Sequence, residues 1–296
     1  MVTLNTNLDN LLHRGKVRDT YDLGDGYLLM VVTDRISAFD VVLPNGIPEK
    51  GKILARISEF WFEKTSHIVA NHFVSLADSV RKDFKPSLPS LPRELAQQSM
   101  IVKRAERIDI ECIIRGYLAG SAWNEYKTDG TIFGNPAPAG LKEGDAFPNP
   151  IFTPTTKSED THDTNMPIEQ VVNMVGEKLA KQLEETSLAI YKFAHDYAKE
   201  RGIIIADTKM EFGLLNGELI LIDELLTPDS SRFWEGSTYK PGQSQPNYDK
   251  QFVRDWLNEA GWDHEPPSPE LPEEICNKTS ERYSEAYTKL TGKQLN

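Results

Sequence analysis

The sequence has only two cysteines, Cys112 and Cys276, far apart in a chain of 296 residues. So few thiols at such a separation argue against a disulfide framework or a zinc cluster, and they fit a reducing cytoplasm. No apolar run approaches the ~18 residues that cross a bilayer, so no membrane-spanning helix is expected. The first residues lack a basic stretch followed by an apolar core, so no signal peptide is expected either. Positive charge is in deficit: 33 Lys and Arg against 45 Asp and Glu leave a net charge of −12. That bulk field argues against non-specific nucleic-acid binding. It leaves room for an anionic small substrate, which needs only local Lys, Arg and backbone N–H groups and a divalent cation. Internal repeats and low-complexity tracts are also missing. What remains is ordinary globular composition, 39% hydrophobic and 26% charged. The length suits one large domain or two closely joined lobes.

Against that background one stretch stands out, Asp207 to Trp234. Two strand-like runs meet at Asn216-Gly217, a strong short-range hairpin signal. The strands carry Asp207, Lys209, Glu211 and Asp223 where wholly apolar residues would have served. Acids on a rigid hairpin beside a lysine suit a metal and a phosphate. They also suit a solvated sheet face with paired charges.

Elsewhere, Gly15 with Lys16 and Arg18 heads a strand–turn–strand pattern that turns again at Gly24-Asp25-Gly26. Such a turn can lay backbone N–H groups and cations over a triphosphate. Residues 33–52 hold prolines 44 and 48 and glycines 46 and 51, and read as an irregular binding loop carrying Asp34, Ser37 and Asp40. A helix of about four turns follows, with Ile53, Leu54, Ile57, Phe60 and Trp61 at helical spacing. Arg115 ends a strand, and Ser121 opens a helix after a glycine-bounded turn. This fits either an anion pocket or a helix capped by Ser121 with an ion-paired arginine. Residues 129–150 read as a long loop. Pro154 to Lys157 and Asp160 to Asp163 gather hydroxyls, a lysine and acids without a zinc signature. Pro167 starts a helical region that Gly202 ends, and it delivers the short strand 203–206 to Asp207. Further helices are expected from Tyr248 and from Pro272 to Leu290.

Asp207-x-Lys209 echoes a kinase catalytic loop, but the kinase Asp-Phe-Gly and His-Arg-Asp signatures are missing. The ordered set Arg14-Gly-Lys-Val-Arg-Asp-Thr-Tyr21, Asp34-Arg-Ile-Ser-Ala-Phe-Asp40, Ile47-Pro-Glu-Lys-Gly51, Ile114-Arg-Gly-Tyr-Leu-Ala-Gly-Ser-Ala-Trp123, Asp207-Thr-Lys-Met-Glu-Phe-Gly213 and Leu226-Thr-Pro-Asp-Ser-Ser-Arg-Phe-Trp234 resembles the SAICAR synthetase family. Within it the chain resembles the longer form, similar to the fungal enzyme, rather than the short bacterial form. The resemblance implies an α+β fold of two lobes, kinase-like where ATP binds, with a cleft between them. Residues 1–110 would form the ATP-binding lobe and residues 111–296 the lobe with the substrate and magnesium sites. It implies ligation of L-aspartate to the carboxylate of 5-amino-1-(5-phospho-D-ribosyl)imidazole-4-carboxylate (CAIR), with ATP as co-substrate, Mg²⁺ as cofactor and an acyl phosphate on the way. A small-molecule kinase or an inactive nucleotide-binding protein are the alternatives.

Carried over by position, Gly15, Lys16 and Arg18 would cover the ATP phosphates, and Lys103, Ala105 and Glu106 would face the adenine. Glu211 and Asp223 match the magnesium-binding acids, and Lys209 would touch the transferred phosphoryl group. Arg115, Ser121 and Arg232 match the holders of the ribonucleotide phosphate, while Asp34, Ser37 and Asp40 would line the substrate pocket. We add Asp207 as a candidate acceptor for the aspartate amine proton. The metal reading makes one demand on geometry. A two-residue loop at Asn216-Gly217 puts Glu211 opposite Ile222, and strand alternation then points Asp223 away from Glu211. Both acids reach one metal only through a bulged turn or if Asp223 bends out beyond the strand end.

Overall fold

The computed structural model describes residues 2–86, 88–157 and 164–295. In chain order the first elements are β1 (Leu11–Arg14), β2 (Arg18–Gly24), β3 (Tyr27–Val32), β4 (Arg35–Ala38), β5 (Val41–Gly46), α1 (Lys50–Thr65), β6 (Phe73–Leu76), α2 (Arg93–Gln97) and β7 (Ser99–Lys103). Next come β8 (Glu106–Tyr117), α3 (Gly120–Asp129), β9 (Thr131–Ile132), β10 (Asn135–Pro136), β11 (Ala146–Phe152), β12 (Thr155–Thr156), α4 (Ile168–Val175) and α5 (Glu177–Lys199). The chain ends with β13 (Ile203–Leu215), β14 (Glu218–Ile222), β15 (Ser231–Glu235), α6 (Gln251–Glu259) and α7 (Glu273–Thr291).

Two antiparallel sheets dominate this α+β fold. The first has the order β1-β2-β3-β7-β6, and the second runs β11-β8-β13-β14, with β12 beside β8 and β15 beside β13. The chain changes sheets at Arg104-Ala105, and the whole of β8 belongs to the second sheet, so the switch precedes residue 110. The segment Ala70 to His72 stitches the sheets together: Leu221 N–H donates to Ala70 O at 2.9 Å, and His72 N–H donates to Leu221 O at 3.0 Å.

One core serves both sheets. Met30, Val32 and Val102 from the first sheet and Met210, Phe212 and Leu221 from the second belong to a single buried cluster. Helix α1 contributes Ile53, Leu54, Ile57 and Trp61 to it at the spacing read from the sequence, joined by Phe62, while Phe60 is only partly buried against the cluster. Each such side chain stabilises the fold by about 1.5–3 kcal/mol on burial. Helix α5 lays Leu183, Ile190 and Ala194 on the back of the second sheet.

Three elements differ from the sequence reading. Residues 33–52 are not irregular: β4 and β5 form a hairpin whose tip, Phe39-Asp40, is left-handed at both residues (φ 51° and 64°). Neither residue is the glycine or asparagine that announces such a turn. The loop 129–150 contains β9, β10 and most of β11. The helical region before Gly202 is two helices, broken at Gly176 (φ 82°).

Candidate active site

Strand β13 carries the chemistry on alternate residues. Asp207, Lys209 and Glu211 share one face, and across the ladder with β8 they oppose Arg115, Ile113 and Glu111. Glu211 and Glu111 are both buried and directly opposed, an arrangement that like charges resist. Two lysines relieve it. Lys157 Nζ pairs with Glu211, and Lys209 Nζ pairs with Glu111. Thr155 Oγ1 also donates to Glu111 at 3.2 Å. Burial alone would raise the Glu211 pKa, but Lys157, Lys209 and Arg18 hold it below the usual carboxylate range. Burial likewise works against the Lys209 charge, and Glu111 and Glu211 more than offset it, so the ammonium is kept protonated.

The hairpin itself is the simplest one. Leu215 opposes Glu218 and Glu211 opposes Ile222 around a two-residue turn with Asn216 and Gly217 left-handed (φ 54° and 82°). There is no bulge at the turn. Instead, Asp223, the first residue past β14, is left-handed (φ 69°) and leaves the strand. A left-handed aspartate costs about 1–2 kcal/mol and persists only where its surroundings over-determine it. Two contacts do so. Arg18 Nη2 donates to Asp223 Oδ2 at 2.6 Å, and His72 Nε2 lies 3.2 Å from the Asp223 carbonyl. A carbonyl can only accept, so the imidazole donates through Nε2. Burial lowers the His72 pKa to about 4, which leaves the ring neutral. Bent out in this way, Asp223 joins Glu211 in acting electrostatically on both Arg18 and Lys209.

At the other end of the same face, Asp207 is clamped between two arginines. It pairs with Arg115 on β8 and with Arg232 on β15, and its Oδ2 accepts from Nη1 of each, at 3.2 and 2.5 Å. Arg115 also donates through Nε to Thr153 Oγ1 at 3.1 Å and through Nη2 to Ser121 Oγ at 3.4 Å. Arg232 lies flat against Gly120 (φ 57°), where a Cβ would sit 2.2 Å from Nη2. Glycine is therefore required there twice over, by conformation and by space. Helix α3 starts beside this cluster with Ala119 at the N-cap and no side-chain cap. Ser121 thus faces Arg115 and does not cap the helix.

Asp207, Arg115 and Arg232 open onto a cavity of about 260 Å³ shared with Lys209, Lys250 and Arg254. Its wall holds five basic side chains (Arg115, Lys209, Arg232, Lys250 and Arg254) against three acids (Asp207, Asp229 and Asp249), so it suits an anion. The acids are themselves occupied. Asp229 is held by the fully buried Lys50 at 2.8 Å and by Tyr283 Oη at 3.0 Å. Burial raises the Asp249 pKa to about 6, with backbone N–H groups of Phe233 and Gln251 on its oxygens. Burial lowers the Lys250 pKa to about 8, with Asp229 pulling the other way.

A family model described as SAICAR synthetase matches residues 11–269. The chain belongs to the SAICAR synthetase family. It is 55% identical to a phosphoribosylaminoimidazole-succinocarboxamide synthase of Thermodesulfovibrio yellowstonii, over 98% of this chain and 99% of that one. A protein of the same name from Geotalea uraniireducens is 52% identical, over 96% and 95%. The SAICAR synthase of Saccharomyces cerevisiae, solved in complex with SAICAR, superposes with a TM-score of 0.88 at 47% identity, over 99% of both chains. The likeness to the longer, fungal form therefore extends along the whole chain.

Several residues matched to the family's motifs sit differently from what position alone implies. Asp34 is buried, its Oδ1 accepting from Gly51 N–H at 2.8 Å and its Oδ2 from Thr3 N–H at 2.7 Å. Its carboxylate ties the N-terminal segment to α1. Arg18 is engaged by Asp223 and by Glu224, at 2.6 and 2.8 Å, so its charge stands over the acids. Asp207 takes both guanidinium donors on Oδ2 and so holds the two arginines together, while a proton from an amine would go to Oδ1. The Gly15 turn is closed by Gly15 N–H to Arg18 O at 2.7 Å, and Arg35 supports it from beneath through the carbonyls of Gly15 and Lys16. Lys16 reaches Asp40, at the β4–β5 tip, at 2.6 Å, while Ser37 sits half-buried on β4. Lys103 and Glu106 are exposed, with Ala105 half-buried between them in the connector of the two sheets. The stretch Asp160 to Asp163 lies outside the described residues.

Glu111, Lys157, Lys250 and Arg254 were not selected from sequence as site residues. A signal for Glu111 existed. In Ile110 to Arg115 it shares a strand face with Arg115, just as Asp207 does with Glu211. Among the described residues no group of three or more His, Cys, Asp or Glu side chains is arranged around a metal position.

Proposed function

We propose that this chain is the ATP-dependent ligase that joins L-aspartate to the carboxylate of CAIR, giving SAICAR, ADP and phosphate in purine biosynthesis. The observation that carries this reading is the layout of β13. An arginine-clamped anion cavity at Asp207 and an acid–lysine cluster at Lys209 and Glu211 share one strand face, about 13 Å from end to end at the strand rise per residue. A ribonucleotide with its 5′-phosphate at Arg115, Arg232 and Ser121 would extend its ring carboxylate along that face toward Lys209. ATP would lie over the connector at Lys103, Ala105 and Glu106, with its phosphates under the turn of Gly15 and Lys16. In this reading the first sheet forms the nucleotide-binding lobe and the second the substrate lobe, with the reaction in the cleft between them.

The ring carboxylate is already ionised, so its attack on the γ-phosphoryl group needs positioning and charge neutralisation but no general base. Lys209, kept protonated by its two glutamates, would face the transferred group. Glu211 and Asp223 are hard oxygen donors, two carboxylates held in place by Lys157 and Arg18, and that donor set fits Mg²⁺. When bound, the ion would supply neutralisation of phosphate charge. Cleavage of the acyl phosphate by the aspartate amine then releases inorganic phosphate. Lys250 and Arg254, which also line the cavity, suit the carboxylates of aspartate. Both cysteines are free and buried, in keeping with a reducing cytoplasm.

Incubation with ATP, Mg²⁺, CAIR and aspartate should release phosphate only when all four are present. A stable phosphorylated product formed without aspartate would replace this reading with a kinase, and a lack of turnover under any divalent cation would end it.

A further inference from the structure

The bend at Asp223 rests on a residue that lies outside the site motifs. His72 precedes β6, and its side chain is buried against α1, with the ring edge-on to Phe62 at 5.3 Å between centroids. Its backbone already does the work of joining the sheets: its N–H donates to Leu221 O at 3.0 Å, and its carbonyl accepts from Lys103 N–H at 2.8 Å. The imidazole is free of that duty. Among the described residues its one hydrogen bond runs from Nε2 to the carbonyl of Asp223, at 3.2 Å. That carbonyl belongs to the residue whose left-handed backbone brings the second acid to the site, against the alternation of β14.

We propose that His72 is a positioning residue for Asp223, fixing the bend that turns a two-residue hairpin into a two-acid metal site. Because Lys103 N–H rests on the carbonyl of the same residue, His72 also links the connector assigned to the adenine with the acid assigned to the metal. The inference depends on reading Glu211 and Asp223 as the metal-binding pair. A core histidine with a merely satisfied ring would behave differently: its loss would loosen the fold and leave the metal dependence of nucleotide binding alone.

The experiment compares ADP binding by the full chain with and without Mg²⁺, followed by titration calorimetry, alongside the melting temperature of each variant. His72→Gln places an amide N–H near the position of Nε2, whereas His72→Asn is of similar polarity but too short to reach the Asp223 carbonyl. We expect all variants to bind metal-free ADP like the parent. His72→Asn and His72→Leu should lose about tenfold of the tightening that Mg²⁺ confers, the scale of one hydrogen bond. His72→Gln should keep it to within about threefold. If His72→Leu does not fold, the Gln–Asn pair still decides, since both are polar and differ only in reach. Equal Mg²⁺-dependent tightening in Gln and Asn variants, or a loss confined to metal-free binding, overturns the proposal. The double variant Glu211→Ala with Asp223→Ala separates the two readings. If it binds Mg²⁺ and ADP like the parent, the metal assignment itself fails; if it does not, yet His72→Asn does, only the role of His72 falls.

Discussion

The two ends of β13 reach a working arrangement by opposite means. At Asp207 strand pairing is enough: β8 sets Arg115 on one side, β15 sets Arg232 on the other across a register shift between Ile205 and Asp207, and both guanidinium groups meet on one oxygen. At Glu211 the ladder works against the site. It opposes Glu111 to Glu211 and would turn Asp223 to the wrong face, so two lysines, an arginine and a left-handed aspartate have to correct it. Strand pairing, with one register shift, can therefore deliver an anion pocket, whereas the pair of acids on this hairpin needs side-chain contacts from far along the chain. Each end can be broken separately, and the expected effects fall in order.

The largest effect belongs to the irregular end. Glu211→Ala with Asp223→Ala should lower kcat by at least about 10³-fold, the scale on which removing electrostatic stabilisation of a transition state acts. The fold should survive, because Lys209 keeps Glu111 and Arg18 keeps Glu224, which leaves only the partly exposed Lys157 without its carboxylate. Steady-state kinetics with circular dichroism as the control checks this. Retention of a tenth of the parent rate would take both acids out of the chemistry.

The Asp207 end should fail in another way. Arg232→Ala removes one of two charge-assisted partners of a buried aspartate, so kcat/KM for the ribonucleotide should fall about 10²-fold while KM for ATP is unchanged. Gly120→Ala reaches the same guanidinium from behind, since its Cβ would lie 2.2 Å from Arg232 Nη2. It should give a loss of about tenfold or more in the same parameter, together with a lower melting temperature from the left-handed backbone. An ATP KM that rises in step with that of the ribonucleotide would show that the two ends are not separate.

This difference also explains what could be read in the sequence. The Asn216-Gly217 turn, the register it sets, and the alternation of Asp207, Lys209 and Glu211 follow from local rules, and so does the meeting of Asp207 with Arg115 once two strands are paired. The partners of Asp223 do not. His72 lies 151 residues away and Arg18 lies 205 away, and neither carries a local sign of that contact. Asp34 shows the same limit: nothing local announces that its carboxylate accepts from the backbone N–H groups of Thr3 and Gly51 and so ties the N-terminal segment to α1. The β4–β5 hairpin has no local signature, because its tip, Phe39-Asp40, takes left-handed angles without glycine. Its side chains are held from outside, Phe39 stacked on His264 and Asp40 paired with Lys16.

A smaller effect should appear with pH. Lys250 on the cavity wall has its pKa lowered to about 8 by burial, so it loses its charge as pH rises through that value. If it helps hold an anion, KM for the anionic substrate at this wall should rise above pH 8, approaching about tenfold per unit. Lys250→Arg should flatten the rise, because arginine stays charged. Stability moves in the opposite sense. The unfolded chain binds the Lys250 proton up to its ordinary value of 10.5, so between about pH 8 and that value this residue's contribution makes the fold more stable as pH increases. A KM that stays flat to pH 9 in the parent would remove Lys250 from substrate binding.

The smallest effect tests whether the turn matters to the acids at all. Gly217 is left-handed with open space around it, so Gly217→Ala meets only conformational strain, about 1 kcal/mol. Asn216 is left-handed as well, and Asn216→Gly relieves its strain while loosening the unfolded chain, so the net change should be a few tenths of a kcal/mol. Differential scanning fluorimetry should show a lower melting temperature for the first and almost none of that shift for the second. Neither should change the Mg²⁺ concentration for half-maximal activity, because Asp223 is anchored by Arg18 and His72 and not by the turn at the other end of β14. A shift in that concentration with Gly217→Ala would mean that hairpin register, transmitted along β14, governs the second acid, and the contrast between the two ends of β13 would be one of degree only.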